Sequence, residues 1–362
     1  MAGALSGIRV VEFEGIGPAP YCGMLLADLG ADVVRVARPH ADRGPLIQHQ
    51  GDEPIDRSRT VVTLDLKAED GLEKALTLLE HADAMIEGLR PGVMERLGLG
   101  PEIALARNPA LVYCRVTGWG QEGPWAKTAG HDLNYIALSG ALAAMGEPDR
   151  PPTPPLNLVG DYGGGGLFAA FGLVSALLHA QRTGQGQVVD AAMLDGAASQ
   201  MTMLYGMFAQ GRWRAQRGTN MLDGGAPFYR CYTCADGLFL SIGAIEPQFF
   251  VAMMQGLGLD PKIWDQANRA QWPELTRVIA EVVATKPRDH WADLFDGTDA
   301  CVAPVLSMAE AADHPHNRAR GTFGGSPDQP SPGPRLSASE RAIRPPKNSD
   351  VESVVASWLE AR

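Results

Sequence analysis

The chain has 362 residues, of which 45% are hydrophobic and 20% charged, a balance that is typical of a globular protein and excludes a fibrous or disordered one. The net charge is −11 and the basic residues are scattered, so the composition predicts no nucleic-acid partner. No basic segment followed by a hydrophobic core opens the sequence, and the five cysteines are dispersed, which favours a cytoplasmic protein with reduced thiols.

The first third of the chain alternates strand-like and helical patterns. The predicted strands are residues 8–13, 31–36, 60–66, 84–87 and 110–117. The predicted helices among them are residues 20–29 and 71–81. Strands that alternate with helices indicate an α/β domain with a doubly wound, Rossmann-like parallel sheet, which binds ligands at the carboxyl ends of its strands.

The loop after the first predicted strand begins like a dinucleotide-binding fingerprint. Gly15 and Gly17 fit that pattern, but Pro20 occupies the position of the third glycine. After the second strand, where an NAD enzyme carries an acid, the chain has Arg38, whose guanidinium suits a phosphate. The loop therefore argues against NAD and favours a phosphorylated ribose.

The middle of the chain is more apolar. Residues 167–180 predict a buried helix, because this stretch is shorter than the ~20 residues that span a bilayer, and no membrane contact is expected. Residues 193–207 predict a long, Met-rich helix, which serves either ordinary packing or a pliable surface for an apolar ligand. Cys231 and Cys234 form a single CxxC motif with no second cysteine pair nearby, and its sequence is typical of a strand, so no metal site is predicted there.

Beyond residue 229 the pattern changes to a smaller α+β domain. Strands are predicted at 229–234 and 238–242 and helices at 248–257 and 274–283, and residues 306–344 have a linker-like composition. The predicted boundaries are 1–191 for the N-terminal part of a large domain, 192–229 for a linker, 230–315 for the small domain, 316–335 for a second linker and 336–362 for a return to the large domain.

Three loops combine an ionisable side chain with the start of a helix. They contain His131, Asp161 before the four glycines 163–166, and Glu246 before a proline. Each has a plain structural alternative, namely a capping or surface histidine, an N-cap aspartate and an acid that complements a helix dipole. The glycines are expected to let the backbone approach closely and to leave the Asp161 carboxylate unshielded, as a base or a nucleophile requires.

Several segments together resemble the α-methylacyl-CoA racemases, which share the family III CoA-transferase (CaiB/BaiF-type) fold. The matching segments are 130–135 (GHDLNY), 157–161 (NLVGD), 186–193 (GQVVDAAM), 220–227 (NMLDGGAP) and 243–249 (GAIEPQF), with 33–36, 64–67 and 90–100 also fitting. The resemblance runs from Leu5 to about Thr322 and so covers most of the chain. It implies an interlocked homodimer in which linkers join a large and a small domain and the site lies between two subunits.

The resemblance also implies residue roles. His131 and Asp161 are the acid/base groups on opposite faces of the substrate α-carbon, Glu246 orients His131, the Asp132 N–H holds the enolate oxygen, and Asn157 belongs to the same catalytic group. The implied CoA contacts are Arg38, Leu64, Asp65, Leu66, Lys67, Gly88, Arg96, Gly130, Leu133, Asn134 and Tyr135. No metal and no organic cofactor is implied, since CoA is part of the substrate.

The expected function is that of an isomerase of lipid metabolism, which inverts the α-carbon of 2-methylacyl-CoA thioesters by two-base proton transfer through an enolate. One alternative is a family III CoA transferase whose Asp161 attacks the thioester carbonyl to form an acyl anhydride. Another is an acyl-CoA-binding protein without catalysis. His131 favours the racemase, because a carboxylate nucleophile needs no histidine facing it.

Overall fold

The computed structural model describes residues 3–39, 53–325, 329–341 and 343–360. The strands are β1 (Arg9–Phe13), β2 (Asp32–Ala37), β3 (Arg59–Thr63), β4 (Ala84–Glu87), β5 (Val112–Thr117), β6 (Gln187–Ala192), β7 (Tyr229–Thr233), β8 (Phe239–Gly243), β9 (Val302–Pro304), β10 (Phe323–Gly324), β11 (Gln329–Pro330) and β12 (Lys347–Asn348).

The α-helices are α1 (Pro18–Asp28), α2 (Glu69–His81), α3 (Val93–Arg96), α4 (Pro101–Arg107), α5 (Asp132–Leu138), α6 (Phe168–Thr183), α7 (Met193–Gln200), α8 (Thr202–Ala209), α9 (Pro247–Gly256), α10 (Trp272–Val283), α11 (Arg288–Phe295), α12 (Met308–Asp313), α13 (Pro315–Arg320) and α14 (Val351–Glu360). A π-helical segment, Leu158–Leu167, leads directly into α6.

The described residues divide into two compact units. The first lies within Met1–Gly140, Pro155–Met201 and Gly321–Arg362, and the second within Ala141–Pro154 and Thr202–Arg320. Residues 141–154, which the sequence analysis placed in the large domain, therefore pack with the second unit. The predicted linkers also contain regular structure, since 192–229 includes α7 and α8, and 316–335 includes most of α13 with β10 and β11.

The first unit is built on a parallel sheet. Its described strands lie in the order β12-β3-β2-β1-β4-β5-β6, and every neighbouring pair is parallel. The order reverses between β1 and β4, as in a doubly wound α/β fold, so the predicted fold class is confirmed. Strand β6 was missed, because four of its six residues are exposed or half-buried and show no strand-like alternation.

Alternate residues of the strands supply two hydrophobic cores, one on each face of the sheet. Val11 and Val34 pack with the cluster that contains residues of α2 and α14. Val10 and Val33 belong to the cluster formed with α1 and α6. Because successive strand residues point to opposite faces, each buried strand holds helices against both sides of the sheet.

The helical run through the four glycines is longer than predicted. It extends over Leu158–Thr183, 26 residues, and by length and composition it is apolar enough to cross a membrane, a property that core helices of soluble proteins share. The helix was predicted to be shorter than a bilayer-spanning segment, and this prediction was wrong because glycines 163–166 continue the helix instead of ending it. One face of α6 is buried in the sheet core, whereas Phe171 (71% exposed) and Leu178 (57% exposed) lie on the opposite face.

A buried cluster of charges joins the first three strands. The fully buried Glu12 carboxylate of β1 accepts hydrogen bonds from Arg35 Nε (3.1 Å) and from Arg59 Nε (3.1 Å) and Nη2 (3.0 Å). Arg35 also pairs with Asp56 at 2.6 Å. On α1, a Cβ at Gly23 would stand 1.9 Å from Glu12 Oε2, so glycine is required to leave room for this cluster. We call these four charged residues the Glu12 cluster.

The second unit contains a three-stranded antiparallel sheet. Its order is β7-β8-β9, as the described residues show, with Cys231 opposite Ser241 and Ser241 opposite Ala303. Residues of α9, α10 and α11 share a core with β7 and β8. These elements match the strands and helices predicted after residue 229.

Candidate active site

A cleft of about 280 Å³ lies at the carboxyl edge of the parallel sheet. It is lined by residues that follow β1, β4, β5 and β6, including Gly17, Pro18, Gly88, Arg90, Gly118, Trp119 and Met193, and by Gly130, His131, Tyr135 and Asp161. Because β1 and β4 are neighbours from which the chain runs in opposite directions, the cleft is at the topological switch point, where this class of fold binds ligands. A larger cavity of about 470 Å³ at the amino edge contains none of the predicted site residues.

His131 stands at the beginning of α5 with its side chain exposed to the cleft. Its backbone is extended (φ −133°, ψ 173°), and its N–H donates to Asn134 Oδ1 at 3.1 Å. Asn134, predicted as a CoA contact, therefore fixes the backbone of His131. Because His131 is the N-cap residue of α5, its position fits a structural capping role as well as a catalytic one.

Asp161 is carried by the π-helical segment and faces the same cleft. Asn157 Nδ2 donates to Asp161 Oδ2 at 3.1 Å. Burial raises the pKa of Asp161 above its ordinary value, and the Asp132 carboxylate adds to this rise, while the Asn157 hydrogen bond and the charge of His131 lower it. The net rise makes the protonated form of Asp161 easier to reach than it is for an exposed aspartate.

The glycines after Asp161 serve helix packing. A Cβ at Gly164 would stand 2.7 Å from the Ala197 backbone nitrogen on α7, and one at Gly166 would stand 2.7 Å from the Pro18 carbonyl oxygen on α1. The close backbone approach that was predicted for these glycines is therefore present. The glycine that leaves room for the Asp161 carboxylate, however, is Gly17. Gly17, before α1, has φ +67°, and a Cβ there would lie 3.2 Å from Asp161 Oδ2.

Tyr135 supports the loop that carries His131. Its hydroxyl donates to the Gly130 carbonyl oxygen, and its ring packs edge-on against Trp119 with centroids 4.7 Å apart. A Cβ at Gly118 would stand 2.1 Å from this ring, so the turn after β5 needs glycine. Burial, together with the Asp161 charge, raises the pKa of Tyr135 to about 12, which keeps its hydroxyl protonated as a donor.

The other predicted CoA contacts occupy different environments. The Leu64 side chain is 7% exposed and belongs to the sheet core, and the half-buried Leu66 packs against that core. Asp65, Lys67, Arg96 and Leu133 are exposed. Arg38, just after β2, is exposed and pairs with Glu14 at 3.4 Å. Of the predicted contacts in the described residues, Gly88, Gly130 and Tyr135 line the cleft.

Glu246 is the N-cap residue of α9 in the second unit. Its carbonyl oxygen accepts from the Phe250 N–H at 2.9 Å. Burial, followed by the charge of Glu246, raises the pKa of the Cys301 thiol.

The cleft residues that were not predicted as site residues include Gly17, Arg90 and Trp119. The sequence could have indicated Arg90 as a site residue, because it follows Gly88 by two residues and so lies just beyond the carboxyl end of β4. Within the described ranges, no group of three or more His, Cys, Asp or Glu side chains is placed to hold a metal ion.

The doubly wound fold with a cleft at its switch point is shared by many ligand-binding proteins, and the family match defines the class: the chain belongs to CoA-transferase family III, whose model matches residues 5–350. It is 46% identical to the α-methylacyl-CoA racemase of Mus musculus and 45% identical to that of Homo sapiens, in each case over 92% of this chain and 86% of the relative. A solved CaiB/BaiF family protein from Brucella suis covers 100% of both chains with a TM-score of 0.82 at 28% identity.

Proposed function

We propose that this chain is an α-methylacyl-CoA racemase, an isomerase that inverts the α-carbon of 2-methylacyl-CoA thioesters. The observation that carries the proposal is the placement of His131 and Asp161 in one cleft at the switch point of the sheet. The relatives at 45–46% identity that are named as racemases support the same activity.

The two side chains act as an acid/base pair across the α-carbon. One group removes the α-proton, the resulting enolate is planar, and the other group delivers a proton to the opposite face. The pair holds one proton between its two sites, so Asp161 is protonated when His131 is neutral. The raised pKa of Asp161 supports this arrangement, because it brings the acid form of the carboxyl closer to working pH.

The developing enolate oxygen needs a hydrogen-bond donor. The amide of Asp132 is the first of α5 and so lies ahead of the first intrahelical hydrogen bond, where the helix dipole favours negative charge. One such donor is worth roughly 3 kcal/mol of transition-state stabilisation. The reaction proceeds without a metal or an organic cofactor in this proposal.

Basic residues at the carboxyl edge of the sheet suit the phosphates of CoA. Arg38 follows β2, Lys67 follows β3 and Arg90 follows β4, so all three lie beyond the carboxyl ends of strands of one sheet, in which β1 separates β2 from β4. Parallel strands are about 4.8 Å apart, which spaces these side chains along the edge. In a chain of net charge −11, this row offers an anion a local cationic surface.

The proposal includes a cytoplasmic homodimer that works in lipid metabolism and in which Glu246 orients His131. The dimer, the pathway and the role of Glu246 rest on the family resemblance, and the location rests on the dispersed cysteines and the opening of the sequence. Sedimentation that finds a fully active monomer would contradict the dimer.

The direct test is incubation with one epimer of a 2-methylacyl-CoA in deuterated water. We expect deuterium at the α-carbon together with loss of stereochemical purity, measured by mass spectrometry and chiral chromatography. The alternative of a CoA transferase, in which Asp161 attacks the thioester, predicts transfer of CoA to an added free acid without α-deuterium. That second result would exclude the racemase.

Gly17→Ala is expected to lower kcat about tenfold to hundredfold, because a displaced catalytic group loses its alignment with the reacting atom. The added Cβ would press on Asp161 Oδ2, and the left-handed φ of +67° also disfavours alanine. Gly15→Ala is the matched control, since its Cβ would approach no atom closer than 3.9 Å. Steady-state kinetics with equal losses in both variants would contradict this account of Gly17.

A further inference from the structure

The Asp132 side chain reaches away from the cleft and bonds to the backbone that carries Asp161. Its Oδ2 accepts from the Gly160 N–H at 2.6 Å and from the Asp161 N–H at 2.7 Å. The residue is 6% exposed. Through these bonds, the start of α5 is tied to the π-helical segment at the position of the catalytic carboxyl.

The residues around the Asp132 carboxylate are packed closely enough that this contact depends on a glycine. A Cβ at Gly160 would stand 2.5 Å from Asp132 Oδ2, so a glycine is needed for the carboxylate to reach both amides. Asp132 Oδ1 is buried and accepts no hydrogen bond from any residue that the structure describes.

We propose that the Asp132 side chain is a positioning residue, which fixes the backbone of Asp161 so that its carboxyl stays in the cleft that His131 lines. The inference rests on the proposed racemase function. Its second consequence is electrostatic, because a negative charge this close to Asp161 disfavours ionisation of the Asp161 carboxyl. Asp132 thus sets both the place and the acidity of one member of the pair.

In the part of the chain that the structure describes, few other charged groups face Asp161. The start of α5 supplies His131, Asp132 and the neutral Tyr135, and the loop after β4 supplies Arg90 to the same cleft. The neighbouring ends of α1 and α7 present Pro18 and Met193, which carry no charge. A change of charge at Asp132 is therefore expected to register in the titration of the pair.

The test compares Asp132→Ala with Asp132→Asn. Alanine removes both hydrogen bonds, and we expect kcat to fall about tenfold to hundredfold with little change in KM, since the Asp132 side chain does not line the cleft. Asparagine keeps one oxygen that can accept from both amides, so Asp132→Asn should retain most of the wild-type kcat. Because asparagine lacks the charge, the Asp161 pKa falls and the acid limb of the kcat/KM profile moves to lower pH.

Asp350→Ala is the matched control, because Asp350 also bonds to a backbone amide at the start of a helix, that of Ser353 at 2.7 Å. It should leave kcat unchanged. The inference is overturned if Asp132→Ala retains wild-type kcat, or if Asp132→Asn leaves the acid limb in place. Should Asp132→Ala fail to fold, the pH profile of Asp132→Asn decides alone. Failure of the proposed function is recognised separately, because wild-type protein would then place no deuterium at the α-carbon.

Discussion

Replacement of either His131 or Asp161 by alanine is expected to lower the rate of epimer inversion by roughly 10²–10⁴-fold, the usual contribution of a positioned acid or base. Both side chains line one cleft, and inversion at a single carbon needs a proton acceptor on one face and a donor on the other. Loss of either group therefore slows inversion in both directions. Chiral analysis of the product from each epimer measures the effect.

The same variants separate a two-base mechanism from a one-base mechanism. Each variant keeps one base, so α-proton exchange in deuterated water should survive for one epimer only, and for opposite epimers in the two variants. His179→Ala and Asp195→Ala are suitable controls, because both residues are exposed and neither lines the cleft. Equal residual inversion in His131→Ala and Asp161→Ala would refute the two-base scheme.

Glu12→Ala is expected to reduce the free energy of unfolding by about 3–5 kcal/mol, because it leaves the buried Arg59 guanidinium without its carboxylate and removes one of the two carboxylate partners of Arg35. Arg59 is 1% exposed, and the Glu12 carboxylate accepts two of its hydrogen bonds as well as one from Arg35. A loss of this size is a large part of the stability of an ordinary domain. Urea denaturation followed by far-UV circular dichroism measures it.

Glu352→Ala provides the control for the Glu12 cluster. Its carboxylate pairs with Lys74 at 3.5 Å, with both side chains largely exposed, so water and salt screen the interaction. We expect little change in the free energy of unfolding. If the two variants lose the same amount of stability, the cluster does not stabilise the sheet as its burial indicates.

Much of the first unit was predictable because its strands and helices repeat short local patterns. The apolar runs of β1, β2, β4 and β5 and the helical spacing in α1 and α2 indicated the parallel sheet. The structure places these four strands in the sheet and packs the two helices against its faces. The long Met-rich helix was predicted less well, since it is interrupted at Met201 between α7 and α8. The helical path of glycines 163–166 depends on their contacts with α1 and α7, which no local pattern contains.

The chemistry of the site divides in the same way. Local motifs singled out His131 and Asp161 as candidates, because a histidine and an aspartate at helix starts are recognisable without coordinates, and the resemblance to the α-methylacyl-CoA racemases implied their roles and the class of reaction. The space that Gly17 leaves for Asp161, and the bond from Asp132 to the Asp161 amide, were decided by tertiary structure alone. Acid and base groups are properties of side chains, whereas their burial, neighbours and pKa arise only when segments distant in sequence pack together.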